Sequence, residues 1–129
     1  MKYNRFEELP VWNASIDLAV AVYRLAAQPA FKGHYSLNDQ LERAAVSVSN
    51  NIAEGFERGT TQELLTFLYI ARGSCGEVRS MLCLLERLPG FGNFKFEISN
   101  LKSPQSRFRF NCARGRIIFR TPTSAASAT

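Results

Sequence analysis

The residues of this chain best suited to acid–base chemistry are its single histidine, His34, and the carboxylates Glu54 and Glu77. A general acid or base must stand within hydrogen-bond reach of a reacting atom, beside a group that tunes it. His34 falls in the connection PAFKGHY with no acid next to it, so it reads as a surface-loop histidine. Glu54 and Glu77 belong to different helical stripes and suit interhelical hydrogen bonding better than paired-carboxylate work. The run Arg72-Gly73-Ser74-Cys75-Gly76 is rich in glycine. It lies inside a helical stripe rather than at a strand–helix turn, so it is not read as a phosphate loop. No Gly-x-x-x-x-Gly-Lys run and no His/Cys ligand spacing occurs. The sequence therefore implies no catalytic residue, no cofactor and no metal, and the expectation is a protein that is not an enzyme.

The three cysteines fit that reading. An odd number cannot complete a disulfide framework within the chain. Cys75 and Cys83 are eight positions apart on one predicted helix, a rise of roughly 12 Å, too far for a bridge. They read as small buried apolar residues. The opening MKYNRFEELPVW carries acids and lacks an apolar core, unlike a secretory signal. No apolar run approaches the roughly 20 residues of a membrane span. A cytoplasmic, membrane-free location is the expectation.

Arginine and phenylalanine offer the other chemistry. Arg107, Arg109, Arg114, Arg116 and Arg120 interleave with Phe108, Phe110 and Phe119 near the C-terminus. Cations neutralise phosphates and rings stack on bases, so this end is a candidate nucleic-acid contact. The alternative is an unstructured basic end with incidental affinity. Charge is unevenly distributed over the 129 residues: 1–91 carry nine Lys+Arg and ten Asp+Glu, whereas 92–129 carry seven Lys+Arg and one Glu. Two regions follow, a near-neutral body over 1–90 and a basic divergent tail over 91–129.

The elements that position these groups are helical. Leu9, Trp12, Ile16, Ala19, Tyr23 and Ala26 step by three and four, which predicts an amphipathic helix from about Pro10 to Gln28. Pro10 suits the first turn and Pro29 the end. Ser36 with Asp39 resembles a capping box for a second helix, with Leu37, Leu41, Ala44, Val48 and Ile52 as its stripe. The helix is expected to stop at Gly55 or shortly after, where a glycine can take the left-handed conformation, and Ala44, Ala45, Ala53 and Gly55 are small enough to permit close helix approach. Thr60 with Glu63 opens a third helix, striped by Leu64, Phe67, Ala71, Ser74 or Cys75, Val78, Leu82 and Leu85, and ended before Pro89-Gly90. Short connections make these antiparallel neighbours in an all-α, up-down bundle. Beyond Gly90 the pattern changes. Lys95–Ile98 and Arg107–Phe110 alternate as strands would, and TPTSAASAT is low in complexity and reads as disordered. The tail is expected to pack poorly against the body or not at all.

A second, polar stripe runs along the second helix: Gln40, Arg43, Ser47, Asn50/Asn51 and Glu54. Burying unpaired amides or charges is costly, so such a stripe is either solvated or paired across an interface. The third helix carries Gly73, Ser74 and Glu77, with Gly76 close by. Each glycine inside a helix costs about 1 kcal/mol against alanine, which points to a close helix approach. Gln40, Arg43, Ser47, Asn51, Glu54, Gly73, Ser74 and Glu77 are the candidate helix or subunit contacts.

Three motifs occur in order: Phe6-Glu7-Glu8-Leu9-x-Val11-Trp12, then Gln40-Leu41-x-Arg43-Ala44-Ala45-x-Ser47-Val48-x-x-Asn51-Ile52-Ala53-Glu54-Gly55, then Phe67-Leu68-x-Ile70-Ala71-x-Gly73-Ser74-x-x-Glu77. Over roughly residues 6 to 88 the chain resembles bacterial four-helix bundle proteins. Some of these are encoded in intervening sequences of the large-subunit ribosomal RNA gene, and the accessory variability protein of diversity-generating retroelements is a relative. The resemblance implies an up-down-up-down bundle, a barrel-like homopentamer and no enzymatic activity. It also brings nucleic-acid association as the accessory relative's mode of action. Two departures stand out. Glu42 stands where members often carry a second basic residue beside Arg43. The sequence after Gly90 does not read as a fourth helix, leaving three helices with a divergent or disordered region in its place. The expected function is a non-enzymatic, self-associating bundle, accessory to RNA or to a nucleic-acid enzyme. The alternative is nucleic-acid binding through the basic tail.

Overall fold

The fold is taken from a computed structural model that describes residues 2–92 and the backbone of 111–113 and 116–118. Three helices make up the body: α1 (Pro10–Ala26), α2 (Tyr35–Glu57) and α3 (Thr61–Arg87). Short 3-10 turns at Phe6–Glu8 and Pro29–Phe31 precede α1 and α2. Near the C-terminus, β1 (Asn111–Ala113) pairs antiparallel with β2 (Arg116–Ile118), with Cys112 opposite Ile117. The strand-like segments expected at 95–98 and 107–110 lie outside the described residues, as does the expected disorder of the last residues.

Helix α2 is the centre of the body. It packs against α1 on one side and α3 on the other, while α1 and α3 make little backbone contact with each other. Gly55 faces Phe67 and Ser47 meets Ser74. As the number rises on α2 it falls on α3, which makes this pair antiparallel. The buried stripes of α2 and α3 follow the predicted spacing: Leu41, Ala44, Val48 and Ile52 on one, Ala71, Ser74, Val78, Leu82 and Leu85 on the other.

Helix α1 buries a different face from the predicted one. Its inward residues are Val11, Ser15, Leu18, Val22 and Leu25, flanked by Ala19 and Ala26. Trp12 and Ile16 are half-buried, and Tyr23 is exposed. Two apolar rows compete on this helix, and the row of compact aliphatic residues takes the core. Trp12 is displaced to the margin, where its ring packs at 5.2 Å on Phe6. Two phenylalanines outside the helices complete the core. Phe31 and Phe91 are each 1% exposed and meet edge to face at 4.8 Å.

The helix ends also differ in detail. Tyr35 already begins α2, and no side chain caps it, so the expected Ser36–Asp39 box does not form. Asp39 pairs instead with Arg43 one turn on, at 3.0 Å. Gly55 is not a terminator. It lies inside α2, and the left-handed residue is Gly59, at φ +85° in the turn before α3. Thr60 does cap α3: its Oγ1 accepts from the Glu63 N–H at 3.2 Å and donates to the Glu63 carboxylate at 2.7 Å.

Candidate functional site

The seam between α2 and α3 brings together three of the eight predicted contact residues, Ser47, Asn51 and Ser74. At its centre is a chain of hydrogen bonds. Asn51 Nδ2 donates to the Ser47 carbonyl at 2.7 Å and to Ser47 Oγ at 3.0 Å. Ser47 Oγ lies 2.9 Å from Ser74 Oγ on the other helix. Ser74 Oγ donates to the Ile70 carbonyl at 3.4 Å. A hydroxyl has one hydrogen. Either serine can donate in the cross-helix bond; with Ser47 donating, Ser74 keeps its hydrogen for Ile70. In that arrangement the amide of Asn51 begins a relay that ends on the α3 backbone; either way, part of the polar stripe is paired across the seam.

The other members of the stripe are arranged differently. Gln40, Arg43, Glu54, Gly73 and Glu77 are exposed. Arg43 is held by Asp39, and Glu54 by Arg58 at 2.9 Å, each within α2. The Glu54 contact raises the Arg58 pKa, through the hydrogen bond first and charge second. No interhelical hydrogen bond reaches Glu54 or Glu77 among the described residues. Gly73 and Gly76 do not serve a close approach within the chain either. A Cβ at either position would meet nothing within 4 Å. The glycine that does is Gly55, where a Cβ would stand 2.5 Å from that of Phe67. Gly55 belongs to the run of small residues on α2, with Ala44, Ala45 and Ala53, that the sequence offers for close helix approach.

The arrangement offers no catalytic chemistry among the described residues. No group of three or more His, Cys, Asp or Glu is placed to hold a metal ion there. His34 is exposed, and its ring lies 5.4 Å from that of Phe91. Cys75 is buried enough that desolvation pushes its thiol up to about 12. It is therefore protonated and inert at neutral pH. An open depression of about 370 Å³ on the outer side of α2 is lined by Tyr23, Asp39, Glu42, Arg43, Ser47 and Asn50, among others. It sets two carboxylates beside one guanidinium in open solvent, with no nucleophile–base pair. Of the candidate nucleic-acid contacts, Arg107, Arg109, Arg114 and Arg120 lie outside the described residues. Arg116 is placed by its backbone opposite Ala113.

The described body is thus three helices with a polar, small-residue seam between α2 and α3. The family described as 23S rRNA-intervening sequence protein matches residues 7–101, and the chain belongs to that family. The match takes in all three helices and runs on past Gly90. No curated protein and no solved structure matches the chain. No described helix is long and apolar enough to cross a membrane.

Proposed function

We propose that the chain is a non-enzymatic protein that self-associates through the outer edge of the α2–α3 seam, as an accessory to RNA or to a nucleic-acid enzyme. The observation that carries this reading is Gly73. It sits inside a long helix, exposed, with open space where its side chain would be. A mid-helix glycine costs about 1 kcal/mol against alanine, and nothing among the described residues offsets that cost. A helix of another copy, laid against the same edge, would offset it. Ile70, one turn before Gly73, is 48% exposed, and Ser47, Asn51 and Ser74 form a satisfied polar floor beneath. Exposed apolar side chains beside a bare stretch of helix suit burial against a second surface.

Membership of the family supports the reading without completing it, because the family's description names a gene setting rather than an activity. A four-helix bundle assembled into a homopentamer remains part of the proposal. So does the division into a body over 1–90 and a basic tail. Sedimentation velocity of the full chain at micromolar concentration is the test. A single oligomer larger than a dimer is the expected result, and a monomer across the range would remove the reading.

A further inference from the structure

Helix α3 sorts its charges by face. At 100° per residue, Leu65, Tyr69, Arg72, Gly76, Arg79 and Arg87 fall within an arc of roughly 80°. All of them are exposed. No Asp or Glu shares the arc. Glu63 and Glu77 lie well round the helix toward the α2 seam, and Glu86, at the inner margin, is half-buried and already has a partner.

Like Arg24 on α1, the arginines here form no ion pair among the described residues. Arg5, Arg43 and Arg58 are each held by a carboxylate two or four residues away. Arg72, Arg79 and Arg87 have no ion-pair partner among the described residues, and the sequence spacing explains why. Glu77 precedes Arg79 by two and Glu86 precedes Arg87 by one, separations that do not face each other on a helix. Arg72 is five residues before Glu77 and nine after Glu63. Three guanidiniums are thus left free along roughly 22 Å of one face.

We infer that this outer face of α3 is a docking surface for single-stranded RNA. Guanidinium groups bind phosphate oxygens in pairs and keep their charge at any physiological pH. The Tyr69 ring is 56% exposed, four residues before Gly73 and three before Arg72, so it can receive an unstacked base beside a neutralised phosphate. Leu65 extends that apolar platform by one turn. At Gly76 no side chain separates a strand from the helix backbone. Exposed Gln62 and Ser80, on the margin of the same face, supply neutral groups that a 2′-hydroxyl can use. A duplex would engage the arginines but not the ring, because its bases are stacked. The inference gives the accessory reading above its partner. The arginine arc adjoins the self-association edge, with Tyr69 one turn before Gly73, and the two readings are separated by measurement: RNA binding by anisotropy, assembly by sedimentation velocity.

The test is fluorescence anisotropy of a labelled single-stranded RNA of about 20 nucleotides with the full-length chain across a salt series. Replacing Arg72, Arg79 and Arg87 together by Gln is expected to weaken binding at least about tenfold and to reduce the log–log salt slope by about 2, from about 0.7 per phosphate contact. Tyr69→Ala is expected to weaken binding several-fold while leaving the slope unchanged. These side chains are exposed, and circular dichroism checks that the helices persist. A chain with Arg107, Arg109, Arg114, Arg116 and Arg120 replaced by Gln keeps the dependence on the α3 arginines if the inference holds. A triple α3 variant with wild-type affinity and slope overturns it, as does a wild-type chain that does not bind. Equal affinity for DNA of the same sequence overturns the choice of RNA.

Discussion

Gly55 and Phe67 bring the backbones of α2 and α3 as close as a side chain root allows. A Cβ on Gly55 would stand 2.5 Å from that of Phe67 and 3.3 Å from the Leu64 Cα. Neither atom is the free end of a flexible side chain, so one helix would have to move. Above this point the Arg58 guanidinium lies 5.4 Å from the centre of the Phe67 ring, closing the crossing on its solvent side.

Two effects oppose each other in Gly55→Ala. Alanine favours the helix by about 1 kcal/mol. Overpacking a tight contact costs typically about 1–3 kcal/mol, and the clash here involves two atoms tied to the backbone. The clash is expected to win, giving a net loss of about 1–2 kcal/mol in urea unfolding. A variant as stable as the wild type would mean that the helices can part at no cost.

Gly73→Ala is expected to act in the opposite direction on the isolated chain. Nothing stands where the new methyl would go, so the helix gain of about 1 kcal/mol is realised in full. Unfolding measured at concentrations below association should show it. Sedimentation velocity at higher concentration should show weaker assembly, because the methyl fills the space proposed for a second copy. Greater stability with unchanged assembly would place the interface elsewhere.

The stripes of α2 and α3 were legible in the sequence because each row is sustained along the helix, even though α3 also exposes Leu65, Tyr69, Ile70 and Leu84. That is why Leu41, Val48, Ile52, Val78, Leu82 and Leu85 fall where the spacing puts them. Helix α1 was not, since Val11, Leu18, Val22 and Leu25 form a second row beside Trp12 and Ile16, and periodicity alone cannot rank two rows. Gly55 was left with two readings for a related reason. A glycine near a helix end has two physical uses, a left-handed turn or a close approach, and only the partner helix decides between them. The polar stripe was visible as a pattern, but its division into the paired Ser47, Asn51 and Ser74 and the exposed Gln40, Glu54 and Glu77 depends on the rotation of α2 against α3. The buried Phe31 and Phe91 carry no periodic signal because they sit outside the helices.

The relay from Asn51 through Ser47 to Ser74 predicts coupling between helices. Ser74→Ala removes the cross-helix partner of the Ser47 hydroxyl, and Ser47→Ala removes both that bond and one acceptor of Asn51. Each single change is expected to cost about 1 kcal/mol, as for a partly buried neutral hydrogen bond. In a double-mutant cycle the pair should show a coupling of at least about 0.5 kcal/mol. Strict additivity would mean that water replaces the cross-helix bond without loss.

Cys75 gives a dependence on pH with a definite sign. Burial raises its thiol from the ordinary 9.0 to about 12 in the folded chain. The folded state therefore holds its proton where the unfolded chain has lost it. The stability contributed by the buried neutral thiol is fully present below about pH 9 and is lost as pH rises from there toward 12. Over that window each unit of difference is worth at most about 1.4 kcal/mol. Cys75→Ala leaves a small cavity but removes this titration. Its stability is expected to be lower than wild type at pH 7 and to fall less steeply between pH 9 and 11, measured by urea unfolding at closely spaced pH. Parallel curves for the two proteins would show that the unfolded chain shields the same thiol.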